Sequence, residues 1–306
     1  MRKPRALRAG DRVAIVAPSS GCSIQELDGG VAELRRLGFD PVHTGAVAER
    51  DLFTAGSVEV RARDFLTAWT DPSIAALVAL RGGYGSAQLL PHLDPAVVAR
   101  TPKLLVGYSD TTALLSWLTC QVGVTALHGP MVDRRLSRGP EGYDVESFLA
   151  LSRGDAGMVL PCPDATVVRG GEAQGPLLGG TLTQLVASLG TPYAFAPPDG
   201  CILFIEDVDE RPYRVHRMLT QLAQAGVLGR ARGLVFGEMR GCDEPGGGPT
   251  AVDAIRHALE AFAGPVFCGF PSGHTMGPLV TLPLGSTVRV ATHPRAVVVV
   301  EESPVA

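Results

Sequence analysis

Through about His128 the chain alternates short, almost wholly apolar runs with stretches whose apolar residues recur at helical spacing, and this alternation constrains the fold more than any other feature. Residues 12–17, 75–80, 103–106 and 124–127 read as strands. Strands that are apolar throughout, and are separated by helix-length segments, belong to a parallel sheet covered by helices, because a parallel crossover needs a long connection. Between the first two runs Ile24, Leu27, Val31, Leu34 and Leu37 fall three or four residues apart, which predicts a helix ending at Gly38. The Gly29-Gly30 pair weakens that helix without removing its stripe.

Residues 131–180 are rich in Gly, Pro and Arg and carry little periodicity, so they read as linker and irregular cover. Organisation returns near Gly179. A strand over 201–205, a helix over 213–225, a strand over 233–236 and a helix over 251–262 are followed by β-type runs at 266–269, 280–282, 287–291 and 296–300. With 306 residues, about twice a usual domain, two domains are expected. The fold class is α/β: an N-terminal parallel-sheet domain over 1–130, linker and cover over 131–178, and a mixed C-terminal domain over 179–306.

Composition narrows the function classes. A net charge of −4, with Arg and Lys scattered, offers no stripe for a phosphate backbone, so nucleic acid is not expected as a partner. No apolar run approaches the roughly 18 residues that span a bilayer, and the one behind the basic N-terminus is too short for a signal peptide. A soluble, cytoplasmic protein without membrane contact is therefore expected. The six cysteines lie far apart, with no C-x-x-C and no paired Cys/His spacing, and read as free thiols rather than metal ligands. Neither a Walker loop nor a dinucleotide fingerprint is present, so no cofactor is expected.

Chemistry concentrates at a few turns. The segment over 103–118 runs from a buried strand into a helix with Ser109 at the junction, where a nucleophile elbow would expose the hydroxyl. There the Asp110 N–H would point toward a developing oxyanion. Only half of G-x-S-x-G is matched, by Gly107, with Thr111 in place of the second glycine; alternatively, Ser109 or Asp110 caps the helix. Arg81-Gly82-Gly83-Tyr84-Gly85 follows the strand over 75–80 at the same sheet edge, and its amides can complete an oxyanion hole or simply form a tight βα turn. Among seven histidines, His274 lies on a Gly/Pro loop leaving a strand and is the best-placed base, with His128 its rival. Glu206 ends the apolar strand over 201–205, where it could orient that histidine or serve as a strand-end cap.

Taken together, these segments resemble the serine L,D-carboxypeptidases of the murein tetrapeptide carboxypeptidase and microcin-immunity group, over nearly the whole chain. The carriers are Gly10 through Ser20, Arg81-Gly-Gly-Tyr-Gly85 with Leu89-Leu-Pro91, Val106 through Leu115, and His128-Gly-Pro130. In the second half they are Leu178 through Thr183, Leu203 through Val208, Pro212 through Leu219, Ser272-Gly-His-Thr275 and Leu282-Pro-Leu-Gly285. The resemblance implies a Ser109, Glu206, His274 triad, an oxyanion hole from amides near Gly83 and Asp110, no metal, and a homodimer with the site between domains. It implies a small peptide substrate, murein tetrapeptide, with Arg81, Tyr84 and His128 as expected contacts and Arg81, Arg134, Arg214 or Arg217 available for its carboxylate. A self-immunity peptidase acting on an aminoacyl-nucleotide, and a two-domain protein that binds without turnover, are the rival readings. After Gly179-Gly180 the family often has Asn, whereas this chain has Thr181, which puts that amide's contact in doubt.

Overall fold

In the computed structural model, which describes residues 1–306 apart from the side chain of Ala46, the strands gather into two sheets. The first holds β1 (Arg12–Val16), β2 (Asp40–Val42), β3 (Ile74–Ala79), β4 (Leu104–Gly107) and β5 (Ala126–His128), all parallel, in the order β2-β1-β3-β4-β5. Their continuous apolar runs follow from burial on both faces: every residue of β3 and β4 is buried. Helices α1 (Ile24–Arg36), α2 (Val58–Thr70), α3 (Pro95–Arg100) and α4 (Thr112–Trp117) connect them. Ser23 and Glu26 form a capping box that starts α1 at its predicted place.

The second sheet is mixed. At its centre lie parallel β8 (Glu172–Thr181), β9 (Cys201–Glu206), β10 (Ala231–Gly237) and β11 (Val266–Phe270). Antiparallel β13 (Thr287–Ala291), β14 (Val297–Val300) and the short β6 (Val159–Pro161) extend one side, and β7 (Thr166–Arg169) closes the other. Helices α6 (Leu182–Ser188), α7 (Pro212–Gln224) and α8 (Ala251–Ala258) pack around a second core that includes Leu203, Leu219, Phe236 and Ile255.

Three expectations need correction. Residues 131–178 are not irregular cover: they hold helix α5 (Val145–Arg153), capped by Asp144 and burying Phe148 and Leu151, together with β6, β7 and most of β8. β6 and β7 each pair with a strand far away in sequence, so nothing local announces them. The run expected at 280–282 forms instead as β12 (Leu282–Leu284), which leaves the second half and pairs antiparallel with β5, Leu282 opposite His128. Helix α8 ends at Ala258 rather than at 262. The return of β12 brings the loop before it, which carries His274, across to the C-terminal edge of the first sheet.

Candidate active site

Ser109 stands between β4 and α4 with φ of 61°, a left-handed conformation that a non-glycine residue adopts only when its surroundings enforce it. One of those surroundings is Gly82. A Cβ there would lie 2.8 Å from both Cβ and Oγ of Ser109, so the Gly-rich turn after β3 touches the serine as only glycine can.

Glu206 ends β9 and is buried, at 1% exposure. Its Oε2 accepts from the backbone N–H of His274 at 2.9 Å and lies 2.7 Å from His274 Nδ1, and Nε2 of the same ring lies 3.1 Å from Ser109 Oγ. Bonding to Glu206 fixes the tautomer with the proton on Nδ1, leaving Nε2 as an acceptor toward the serine hydroxyl. Gly273, at φ of 78°, permits this approach: a Cβ there would sit 2.4 Å from Glu206 Oε2. Burial by itself would raise the Glu206 carboxyl, but the imidazole beside it and the Thr181 hydroxyl outweigh burial and hold it well below the usual carboxylate range. Burial would lower His274, yet facing Glu206 it is raised above its ordinary value. A serine oxygen, an imidazole and a carboxylate in this line form the charge-relay geometry of a serine hydrolase.

Arg135, which the sequence does not set apart from its arginine neighbours, holds the histidine loop in place. Its buried guanidinium donates to the carbonyls of Gly273 and Thr275 at 2.9 Å, to those of Gly142 and Gly277 at 3.1 Å, and to Tyr108 Oη at 3.3 Å. Tyr108 in turn lies edge-on to His274, with ring centroids 5.2 Å apart. Just after β10, Glu238 accepts from the Thr275 hydroxyl and from the Met276 N–H at 2.8 Å. Asp110 is buried, its carboxylate accepting from Ser19 Oγ at 2.6 Å, Ser86 N at 2.8 Å and Gln184 Nε2 at 3.3 Å. It thereby ties the turns after β1 and β3 to the residue following Ser109. Gly83, in the turn after β3, packs against Ser20 of the turn after β1.

The expected substrate contacts are dispersed. His128 is fully buried; its Nδ1 lies 3.1 Å from Ser272 Oγ, which donates onward to Val280 O at 2.7 Å, and burial pushes its pKa down to about 4. Packed edge-on against Phe204, it is a neutral core residue, which corrects its assignment as a substrate contact and as a rival base. Arg81 is partly exposed beside the Gly82 turn, donating to Gly21 O at 3.1 Å and lying 3.4 Å from Asp133. Tyr84 is half exposed, edge-on to Phe53. Arg134 lies 3.9 Å from Asp133, whereas Arg214 pairs with Glu210 at 3.4 Å and Arg217 lies over Tyr213, both on α7. Among the described residues no group of three or more His, Cys, Asp or Glu side chains is placed to hold a metal ion, and no helix is long and apolar enough to cross a membrane.

The two-part α/β fold thus brings a serine of the first part against a histidine and a glutamate of the second. Residues 13–129 match the family model for the LD-carboxypeptidase N-terminal domain and residues 174–290 that for the C-terminal domain, so the chain belongs to the LD-carboxypeptidase family of serine peptidases. It is 37% identical to a putative carboxypeptidase of Streptomyces coelicolor over 298 residues, covering 92% of this chain and 91% of the relative. It is 34% identical to the murein tetrapeptide carboxypeptidase of Pseudomonas aeruginosa over 281 residues, covering 86% and 88% respectively. The solved microcin C7 self-immunity protein, in its wild-type apo state, shares the fold with a TM-score of 0.91 at 24% identity, covering both chains fully.

Proposed function

We propose that Ser109, His274 and Glu206 are the catalytic triad of a carboxypeptidase that releases the C-terminal D-alanine of murein tetrapeptide, a step of peptidoglycan recycling. The observation that carries this reading is the unbroken line from Ser109 Oγ through the His274 ring to Glu206 Oε2, at 3.1 and 2.7 Å. His274 takes the hydroxyl proton as Ser109 attacks the carbonyl of the final peptide bond. Amides of Asp110 and of the turn at Gly83 face the oxyanion, and His274 then returns the proton to the leaving amine. Water attacks the acyl-enzyme by the same route. The relative named murein tetrapeptide carboxypeptidase supports the substrate class.

A site built for a free carboxylate next to the scissile bond loses rate when that group is amidated, because the cation or amides facing it are left unpaired. The test is mass spectrometry of three peptides after incubation: L-Ala-D-Glu-diaminoacid-D-Ala, the same peptide ending in L-Ala, and its C-terminal amide, with Ser109→Ala as the blank. Release of alanine from the first alone is expected. Equal cleavage of the D- and L-terminated peptides contradicts the L,D assignment. The likeness to the microcin C7 self-immunity protein favours a second reading, an aminoacyl-nucleotide conjugate as substrate. Cleavage of such a conjugate with none of the tetrapeptide would select it.

A further inference from the structure

Thr181 occupies the N-cap position of α6, where a threonine hydroxyl ordinarily accepts from a backbone N–H of the first helical turn. Here it makes no such bond. The capping role has passed to Asp207, whose Oδ2 accepts from Thr183 N at 2.8 Å and from Thr183 Oγ1 at 2.7 Å. The freed Thr181 hydroxyl donates instead to Glu206 Oε1, its register partner across the parallel β8–β9 pair. The two oxygens of Glu206 are thereby divided: Oε1 faces Thr181, and Oε2 faces the N–H and Nδ1 of His274.

The other side of Thr181 reaches the helix that carries the serine. Its N–H donates to Thr112 Oγ1 at 3.2 Å, and that hydroxyl lies 3.5 Å from Thr181 Oγ1. Thr112 begins α4, three residues after Ser109. The approach requires glycine before the threonine, since a Cβ on Gly180, at φ of 141°, would lie 2.6 Å from Thr112 Oγ1. All three side chains are buried, so water does not compete for these bonds. Hydroxyls ordered this way, from Thr112 to Thr181 to Glu206, polarise one another.

We infer that Thr181 is a positioning residue that fixes the rotamer of Glu206 and, by drawing charge toward Oε1, limits how basic the carboxylate makes His274. This rests on the triad reading of Ser109, His274 and Glu206. A hydroxyl donating to one carboxylate oxygen weakens the acceptor strength of the other, so its removal concentrates charge on Oε2 and stabilises the protonated imidazole. Thr181→Val keeps the β-branched shape and removes the donor. It lowers kcat/KM about tenfold, the scale of one lost hydrogen bond to a charged group, and moves the acid limb of the kcat/KM profile to higher pH. Thr181→Ser restores the hydroxyl and returns both quantities toward wild type.

The same shift is read without turnover by titrating the His274 Cε1–H resonance by NMR in a Ser109→Ala background, with and without Thr181→Val. That arm separates the two ideas: an active Ser109→Ala enzyme overturns the triad, whereas the resonance still reports what Thr181 does to His274. A higher His274 pKa in Thr181→Val, reversed in Thr181→Ser, supports the inference. An unchanged or lower pKa, or a rate loss that Thr181→Ser shares, overturns it and leaves Thr181 a packing residue. The resonance also reveals whether Thr181→Val remains folded, and if it does not, Thr181→Ala takes its place with the same two outcomes.

Discussion

In the proposed triad His274 takes the serine proton only when neutral, so its raised pKa sets the pH dependence. The acid limb of kcat/KM is expected above the about 6.5 of an unperturbed imidazole, because Glu206 stabilises the protonated ring. Glu206→Gln removes that charge: the limb moves to lower pH, and the rate falls by about 10²- to 10⁴-fold as the ring loses its fixed tautomer. A pH–rate series on the two proteins checks both effects, and a limb that stays in place removes Glu206 from the account. Ser109 and His274 stood out in the sequence as residues at turns leaving strands. Neither the left-handed backbone of Ser109 nor the sharing of Glu206 by Thr181 and His274 had a local signal, since both depend on chain segments distant in sequence.

Among the elements the decisive piece is the loop after β11, residues 271–281, which presents His274 although four of its eleven residues are Pro or Gly. Arg135 bonds its carbonyls and Glu238 its Met276 N–H. Arg135→Met would leave four carbonyls without their donor, so the variant is expected to melt lower and to lose about 10²-fold in kcat, the scale of a roughly 1 Å misplacement of a catalytic group. Thermal melts beside steady-state kinetics check this; an unchanged kcat would mean the loop holds its shape unaided. Gly273→Ala acts at a single contact, forcing a methyl against Glu206 Oε2, and is expected to abolish most activity while α1–α8 persist by circular dichroism. The parallel strands and α1 were legible because apolar runs and a capping box are local signals. By contrast α5, β6, β7 and the pairing of β12 with β5 were not: the strands are short and pair with distant partners, and α5 lies in Gly- and Pro-rich surroundings that mask its stripe.

At the scale of the whole molecule, the site exists only because two halves meet. β4 delivers Ser109, β9 delivers Glu206, and β12 crosses to pair with β5 so that the loop between β11 and β12 places His274 over the first sheet. The proposed order Ser109, Glu206, His274 rests on the resemblance to a family, whereas Arg135 as the clasp between the halves had no signal, because neighbouring arginines carry no sign of which one is buried. Serine chemistry of this kind needs no metal, so EDTA is expected to leave peptide release unchanged; activity lost to the chelator and restored by zinc would point to a different mechanism. In the proposed mechanism Ser109 and His274 act as one unit. D-alanine release from the tetrapeptide, measured for Ser109→Ala, His274→Ala and the double variant, checks this. Each single change is expected to lower kcat by about 10³- to 10⁶-fold, with the double variant no slower than the slower single one. Losses that multiply in the double variant, or a Ser109→Ala protein that still turns over, would contradict it.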